Sequence, residues 1–249
     1  MDIKAELLKS MEREELEQEV KLKIASFDGL LTREVALRLI AKEKGLLKSE
    51  QFMIGEVPKD ARDFTIRGKI TRVWPVMGYS SGKQSQVVEV KDETGEKPLV
   101  FWNRDTRLVQ RLRARDLITV KGAYEKSGEL HFGFQGSLSV EGRAGVSELK
   151  DIPDNETVHI KGRVSRLEGY DKFVRNGRGS VAFSFLISDG TAERRAIIWN
   201  DSERGERLKE GDEILVEGAG VNKGDIDIGL CSRLKIRRGN PEKKNAPSG

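Results

Sequence analysis

Trp102 and Trp199 each stand before an asparagine at the end of an apolar run, Leu99-Val100-Phe101-Trp102-Asn103 and Ala196-Ile197-Ile198-Trp199-Asn200. Strand alternation sorts these residues by side: Ala196 and Ile198 face one way, Arg195, Ile197 and Trp199 the other, and Leu99 and Phe101 oppose Val100 and Trp102. Small and aliphatic Ala196 and Ile198 suit a tight interior, which puts Trp199 on the outer wall beside Arg195. An indole held there is a platform on which an unpaired nucleobase can stack. The competing reading is that both indoles close the interior themselves.

A second constellation lies upstream of each tryptophan. Tyr170 and Phe173 alternate with Lys172, Arg175 and Arg178 among glycines, and Trp74 and Tyr79 precede Lys83. A flexible loop of this kind pairs cations with phosphates and aromatics with bases; alternatively it is a solvated turn whose aromatics cover an opening, the role assigned to Trp74. The candidate nucleic-acid-binding residues are therefore Tyr79, Lys83, Trp102, Arg104, Lys126, Tyr170, Lys172, Phe173, Arg175, Arg178, Arg195, Trp199 and Lys223.

The elements that position them occur twice. Val88–Asn103 lies over Phe185–Asn200 at an offset of 97 residues, with Asp92 over Asp189; Ile66–Arg72 answers Ile160–Arg166 at 94; Val120–Ala123 answers Val216–Ala219, and Gly128–Gly133 answers Gly224–Gly229, both at 96. A repeat that keeps register this long is a duplicated domain. Each copy reads as five short strands. In the second, Val158–Leu167 alternates, a Gly-rich loop follows, Val181–Ile187 alternates, and Asp189-Gly190 turns into Arg194–Trp199. A helical turn in Asn200–Glu210 then precedes Glu213–Val216 and Asp225–Leu230. Five strands with a helical connection after the third is the order of an OB barrel.

The expected architecture is mainly β: two tandem five-stranded OB-fold barrels at 62–142 and 155–237, joined by a linker at 143–154 and followed by a disordered tail at 238–249. A small α-helical module at 1–54 precedes them, with one helical pattern in Asp2–Ile24 and a second helix opened by Thr32 as N-cap and running through Ala41.

Composition narrows the function. The chain has 37% hydrophobic and 35% charged residues, and no apolar run approaches the ~20 residues that span a bilayer. The first residues lack a signal-peptide pattern, so a cytoplasmic, nucleoid-associated protein is expected. One cysteine excludes an internal disulfide and a cysteine zinc site, and no metal or cofactor is expected. The net charge of +4 is concentrated: residues 62–142 carry 14 Lys and Arg against 10 Asp and Glu. His131 and His159 have no partner pattern for metal or nucleophile, and neither a P-loop nor a dinucleotide-binding glycine motif is present, so the chain reads as a binder and not an enzyme.

The run from Gly162 to Asn200, G-R-V-x(8)-F-x-R-x-G-x(5)-F-x-F-x-I-x-D-G-x(3)-R-R-A-I-I-W-N, resembles the single-stranded-DNA-binding OB folds of archaeal replication protein A, and the likeness extends to both repeats. The resemblance implies that Trp102 and Trp199 occupy the third-strand stacking position and Tyr79 and Phe173 that of the first loop. A further aromatic of the family's loop between strands four and five is absent here or replaced by Lys126 and Lys223. Phe27–Gly45 is similar to the N-terminal helical module of archaeal members. The resemblance implies sequence-tolerant binding of single-stranded DNA in DNA replication, repair or recombination, with other replication protein A subunits, a polymerase or a helicase as partners of the N-terminal helices. The alternatives are a protein-interaction accessory subunit and a single-stranded RNA binder.

Overall fold

The computed structural model describes residues 3–46, 49–175 and 178–239. They form two compact units, residues 1–50 and 51–249. The first holds α1 (Ile3–Leu7), α2 (Arg13–Ala25) and α3 (Arg33–Glu43) around Leu7, Leu16, Val20, Leu37 and Ile40. The pattern read as one helix from Asp2 to Ile24 is interrupted between Leu7 and Arg13, where Ser10 turns back to donate to the Leu7 carbonyl and lets both Leu7 and Leu16 reach one core. Thr32 caps α3 as expected, accepting from the Val35 N–H at 3.4 Å. Among the described residues no helix is long and apolar enough to cross a membrane.

The second unit is two sheets. The first contains β1 (Gln51–Phe52), β2 (Arg62–Val73), β3 (Met77–Gly78), β4 (Gln84–Lys91), β5 (Glu96–Trp102), β6 (Leu117–Lys126) and β7 (Glu129–Gly142). Its strand order is β1-β2-β6-β7-β5-β4-β3, and β2 also pairs with β4. The second contains β8 (Thr157–Arg175), β9 (Arg178–Ser188), β10 (Glu193–Trp199), β11 (Glu213–Asn222), β12 (Asp225–Ile228) and β13 (Arg233–Arg237), in the order β12-β10-β9-β8-β11-β13 with β12 also paired to β11. In each sheet the extra pairing brings the strand path back on itself, around separate cores centred on Phe64, Leu99 and Phe101 and on Phe185, Ala196 and Ile198. Short helices follow the third long strand of each: α4 (Thr106–Val109) and α5 (Ser202–Glu206), the latter capped by Asp201.

Three expectations are corrected. The Gly-rich loop after Leu167 is strand: β8 and β9 stay paired out to Arg175 and Arg178, with register shifts at 164/166 and 167/169 absorbing Gly169, whose φ is +102°. The second copy's last strand stops at Ile228, and a further strand, β13, pairs with β11 after the turn at 229–232. The segment read as a linker contains a 3-10 turn at Leu149–Asp151, with Leu149 and Ile152 inside the second core. The tail beyond residue 239 lies outside the described residues.

Two aspartates explain how the repeats keep register. Asp189 Oδ1 accepts from the Thr191 hydroxyl and the Thr191 and Ala192 N–H groups, while Oδ2 accepts from Leu149 N–H at 2.7 Å, 40 residues upstream. Asp92 does the same with Thr94, Gly95 and Ile54. Burial pushes the Asp189 carboxyl up, but these donors outweigh it and hold the group at about 2. A depressed carboxyl stabilises fully above its unfolded value of about 3.9, and loses that contribution as pH falls through about 2.

The two sheets are docked by a buried imidazole. His159, 2% exposed, accepts the Gly218 N–H at Nδ1 (3.0 Å) and bonds through Nε2 to the Ala114 carbonyl of the first sheet's domain (2.8 Å). That pattern requires the neutral tautomer with its proton on Nε2, and burial holds the pKa below the ordinary histidine value. Gly218 is left-handed (φ +77°) at a bulge in β11, as Gly122 (φ +73°) is at the matching bulge in β6, so the bulge turns the Gly218 amide toward the histidine. Around it Arg113 pairs with buried Glu217 at 2.9 Å, and Arg233 donates to the Val109 and Gln110 carbonyls.

We expect Asp189→Asn to lower stability by about 1–3 kcal/mol at neutral pH and to flatten the acid dependence between about pH 4 and 2, measured by urea unfolding at a series of pH values. An acid limb of unchanged slope would contradict the assignment.

Candidate nucleic-acid interface

The tryptophans end β5 and β10, where the interior residues of the same strands fix their side. Leu99 and Phe101 lie in the first core and Ala196 and Ile198 in the second, whereas Val100 and Ile197 are buried outside those cores, and Trp102 and Trp199 are half-buried. Each indole is tethered by its N–H to the strand that runs parallel beside it. Trp102 Nε1 donates to His131 Nδ1 at 3.2 Å, and Trp199 Nε1 to Asp227 Oδ1 at 2.8 Å. The parallel registers Val100↔His131 and Ile197↔Asp227 place the acceptors at equivalent points. Satisfying the one polar atom of a half-buried indole leaves its rings apolar and oriented.

In the first domain the platform is enlarged. The Tyr79 ring lies 5.8 Å from Trp102, and its hydroxyl is 3.0 Å from Ser85 Oγ, which fixes a side chain that remains 44% exposed. Tyr124 stacks on His131 with centroids 4.9 Å apart, bracing the tether from behind. Phe134, 66% exposed on β7, lies under the Arg104 guanidinium at 5.8 Å. In the second domain Tyr170 packs 4.7 Å from Phe183 and donates to the Ser202 carbonyl. Burial raises its phenol pKa.

The candidate cations divide. Arg195 is committed to Glu168 at 2.8 Å, to Asp225 at 3.9 Å and to the Ser184 hydroxyl, so its charge is balanced within the protein. Lys83, Lys126, Lys172 and Lys223 are exposed and form no ion pair among the described residues, and exposed Arg104 lies 3.8 Å from Asp105. Lys126 precedes the two-residue hairpin turn Ser127-Gly128 and Lys223 is the first residue of the matching turn Lys223-Gly224, with φ positive at all four turn residues, and turns this tight have no room for an additional aromatic. The side chains of Phe173, Arg175 and Arg178 lie outside the described residues.

Sequence reasoning missed His131, Asp227, Tyr124 and Phe134. The first two were detectable in principle, because they share the 96-residue offset and the fifth strand of a closed five-strand order neighbours the third. Phe134 carries no periodic signature that separates it from a core residue.

No family model matches the chain. It is 24% identical over 236 residues to a curated protein named Replication factor A from the archaeon Methanothermobacter thermautotrophicus, a match covering 83% of this chain and 29% of that protein. The chain thus spans less than a third of the length of this relative. The resemblance read from the sequence is met by an archaeal protein of that name. Among solved structures, a replication protein A heterotrimer bound to ssDNA aligns with a TM-score of 0.43 at 12% identity, over 78% of this chain and 52% of that one. A murine DNA-binding protein bound to double-stranded DNA aligns at 0.39 and 13%, over 73% and 99%. Likenesses at this level bear on neither mechanism nor partner.

The Trp102 tether is acid-sensitive. Burial holds His131 below the ordinary imidazole value, with Glu129 opposing, so Nδ1 accepts at neutral pH and ceases to once protonated. In a chain whose only tryptophan is Trp102 (Trp74→Phe, Trp199→Phe), indole emission is expected to change as pH falls, with a midpoint below about 6.5. In the chain keeping only Trp199, whose ring nitrogen meets no imidazole, that transition should be absent. The same transition in both chains would contradict the tether geometry.

Proposed function

We propose that the chain binds single-stranded DNA by stacking unpaired bases on Trp102 and Trp199, with exposed lysines and Arg104 meeting phosphates, and that each sheet acts as an OB-type barrel in doing so. The observation that carries this reading is the repeated device: two half-buried indoles on matching walls, each fixed by its N–H to the neighbouring parallel strand. A stacking platform gains from rigidity, because the ordering entropy of the side chain has been met in folding. It is also tolerant of sequence, since every base has a π-face. Duplex DNA keeps its bases stacked on one another and offers nothing to these rings.

The name of the archaeal relative supports a place in DNA replication. Protection of the strand in repair or recombination would follow from the same physics. Where a tether alone would raise the effective concentration of the second domain, docking through His159 also sets its orientation. The strand then meets two walls held in one fixed relation.

Replacing either tryptophan by alanine should weaken binding of an oligo-dT by about 5- to 150-fold, the equivalent of losing ~1–3 kcal/mol of stacking, with circular dichroism unchanged; fluorescence anisotropy measures it. Unchanged affinity in the double variant would sink the proposal and leave a protein-contact role. Affinity should also fall linearly on a log–log plot against salt. Parallel titrations with oligo-dT, oligo-rU and duplex separate DNA from RNA preference.

A further inference from the structure

Between the two β domains lies a cleft of about 440 Å³, and Trp199 opens into it. Its other wall belongs to the first domain, where Arg72 lies near the end of β2 and Trp74 follows it, and the second domain adds Asn222, Leu230 and Cys231. The cleft is a fixed feature, because the His159 bonds, the Arg113–Glu217 pair and the Arg233 contacts hold both walls. Sequence alone gave Trp74 a covering role; the structure shows more. Trp74 is half-buried, its Nε1 donates to Glu89 Oε1 at 3.1 Å, and the Arg72 guanidinium lies 5.3 Å from its ring centroid. This is the device found at Trp102 and Trp199: an indole whose polar atom is satisfied by a neighbouring strand and whose ring stays partly open. Leu230, 65% exposed, adds apolar surface on the facing domain.

We propose that this cleft is a third stacking site, which takes the nucleotide passing from the wall of the first domain to that of the second. Trp74 receives the base, with Arg72 bracing the ring and close enough to meet the phosphate. The occupant is a nucleotide because the cleft is continuous with the Trp199 wall and carries an arginine beside an indole, a combination that suits a base with its phosphate better than an apolar peptide. The inference rests on the single-strand reading above.

Cys231, the chain's one cysteine, reports directly on the cleft. Its rate of reaction with an aromatic disulfide reagent is measured in the whole chain with and without saturating oligo-dT of about 30 nucleotides, long enough for two domains. We expect at least tenfold protection. Trp74→Ala should weaken binding of this oligomer about five- to tenfold while leaving a tetramer, about the least that one domain accommodates, unaffected; Trp74→Phe should restore most of the loss. If the long oligomer binds tightly yet Cys231 reacts at the same rate, the third site is wrong and the stacking walls stand. The same holds if Trp74→Ala folds normally and binds as wild type. If the long oligomer does not bind at all, the single-strand reading fails first.

Discussion

The bond from each indole N–H to the strand beside it is the constraint on which the candidate interface depends. A tryptophan at the edge of a core has two stable resolutions: full burial with its nitrogen paired, or retreat to solvent with rings that gain little from water. Pairing the nitrogen with His131 or Asp227 permits a third, in which one part of the ring packs and the rest stays open without wandering. That bond exists because β7 runs parallel to β5 and β12 to β10, and their registers bring Val100 opposite His131 and Ile197 opposite Asp227. Strand order therefore governs surface chemistry here.

Docking of the two domains has a different character. It uses a neutral imidazole with both nitrogens engaged, a bulge glycine that turns its amide outward, and a buried carboxylate shared by Arg113 and Lys235. Polar groups this deep are costly unless paired. Their complementarity fixes one relative orientation of the two domains, which apolar contact alone specifies less sharply.

Much of this was legible in the chain and some was not, for physical reasons. The duplication, the interior placement of Leu99, Phe101, Ala196 and Ile198, and the helical turn after the third strand follow from period-two patterning and matched offsets, which are local signals. The β8–β9 extension was hidden because glycines and cations at 168–180 read as loop, whereas two register shifts let the hairpin continue through them. His159 looked like an ordinary histidine. Its partners are a backbone carbonyl and a backbone amide, groups every residue possesses, so no side-chain motif announces them. Arg195 drew notice for standing four residues before Trp199, the counterpart of Trp102, on the same side of β10. Only the fold shows that Glu168 and Asp225 already occupy it.

The aspartate turns also determine where this polypeptide can be divided. Asp92 and Asp189 reach back to Ile54 and Leu149, so each copy of the duplication starts ahead of its first long strand, with Ile54 and Leu149 fully enclosed in their respective interiors. A fragment begun at residue 155 would expose the hole vacated by Leu149 and Ile152 and leave one carboxylate oxygen of Asp189 without its amide. One begun near 146 retains the hook, and also the Ser147 amide that donates to the His159 carbonyl. The unit that was copied in this chain is longer than the sheet it encodes.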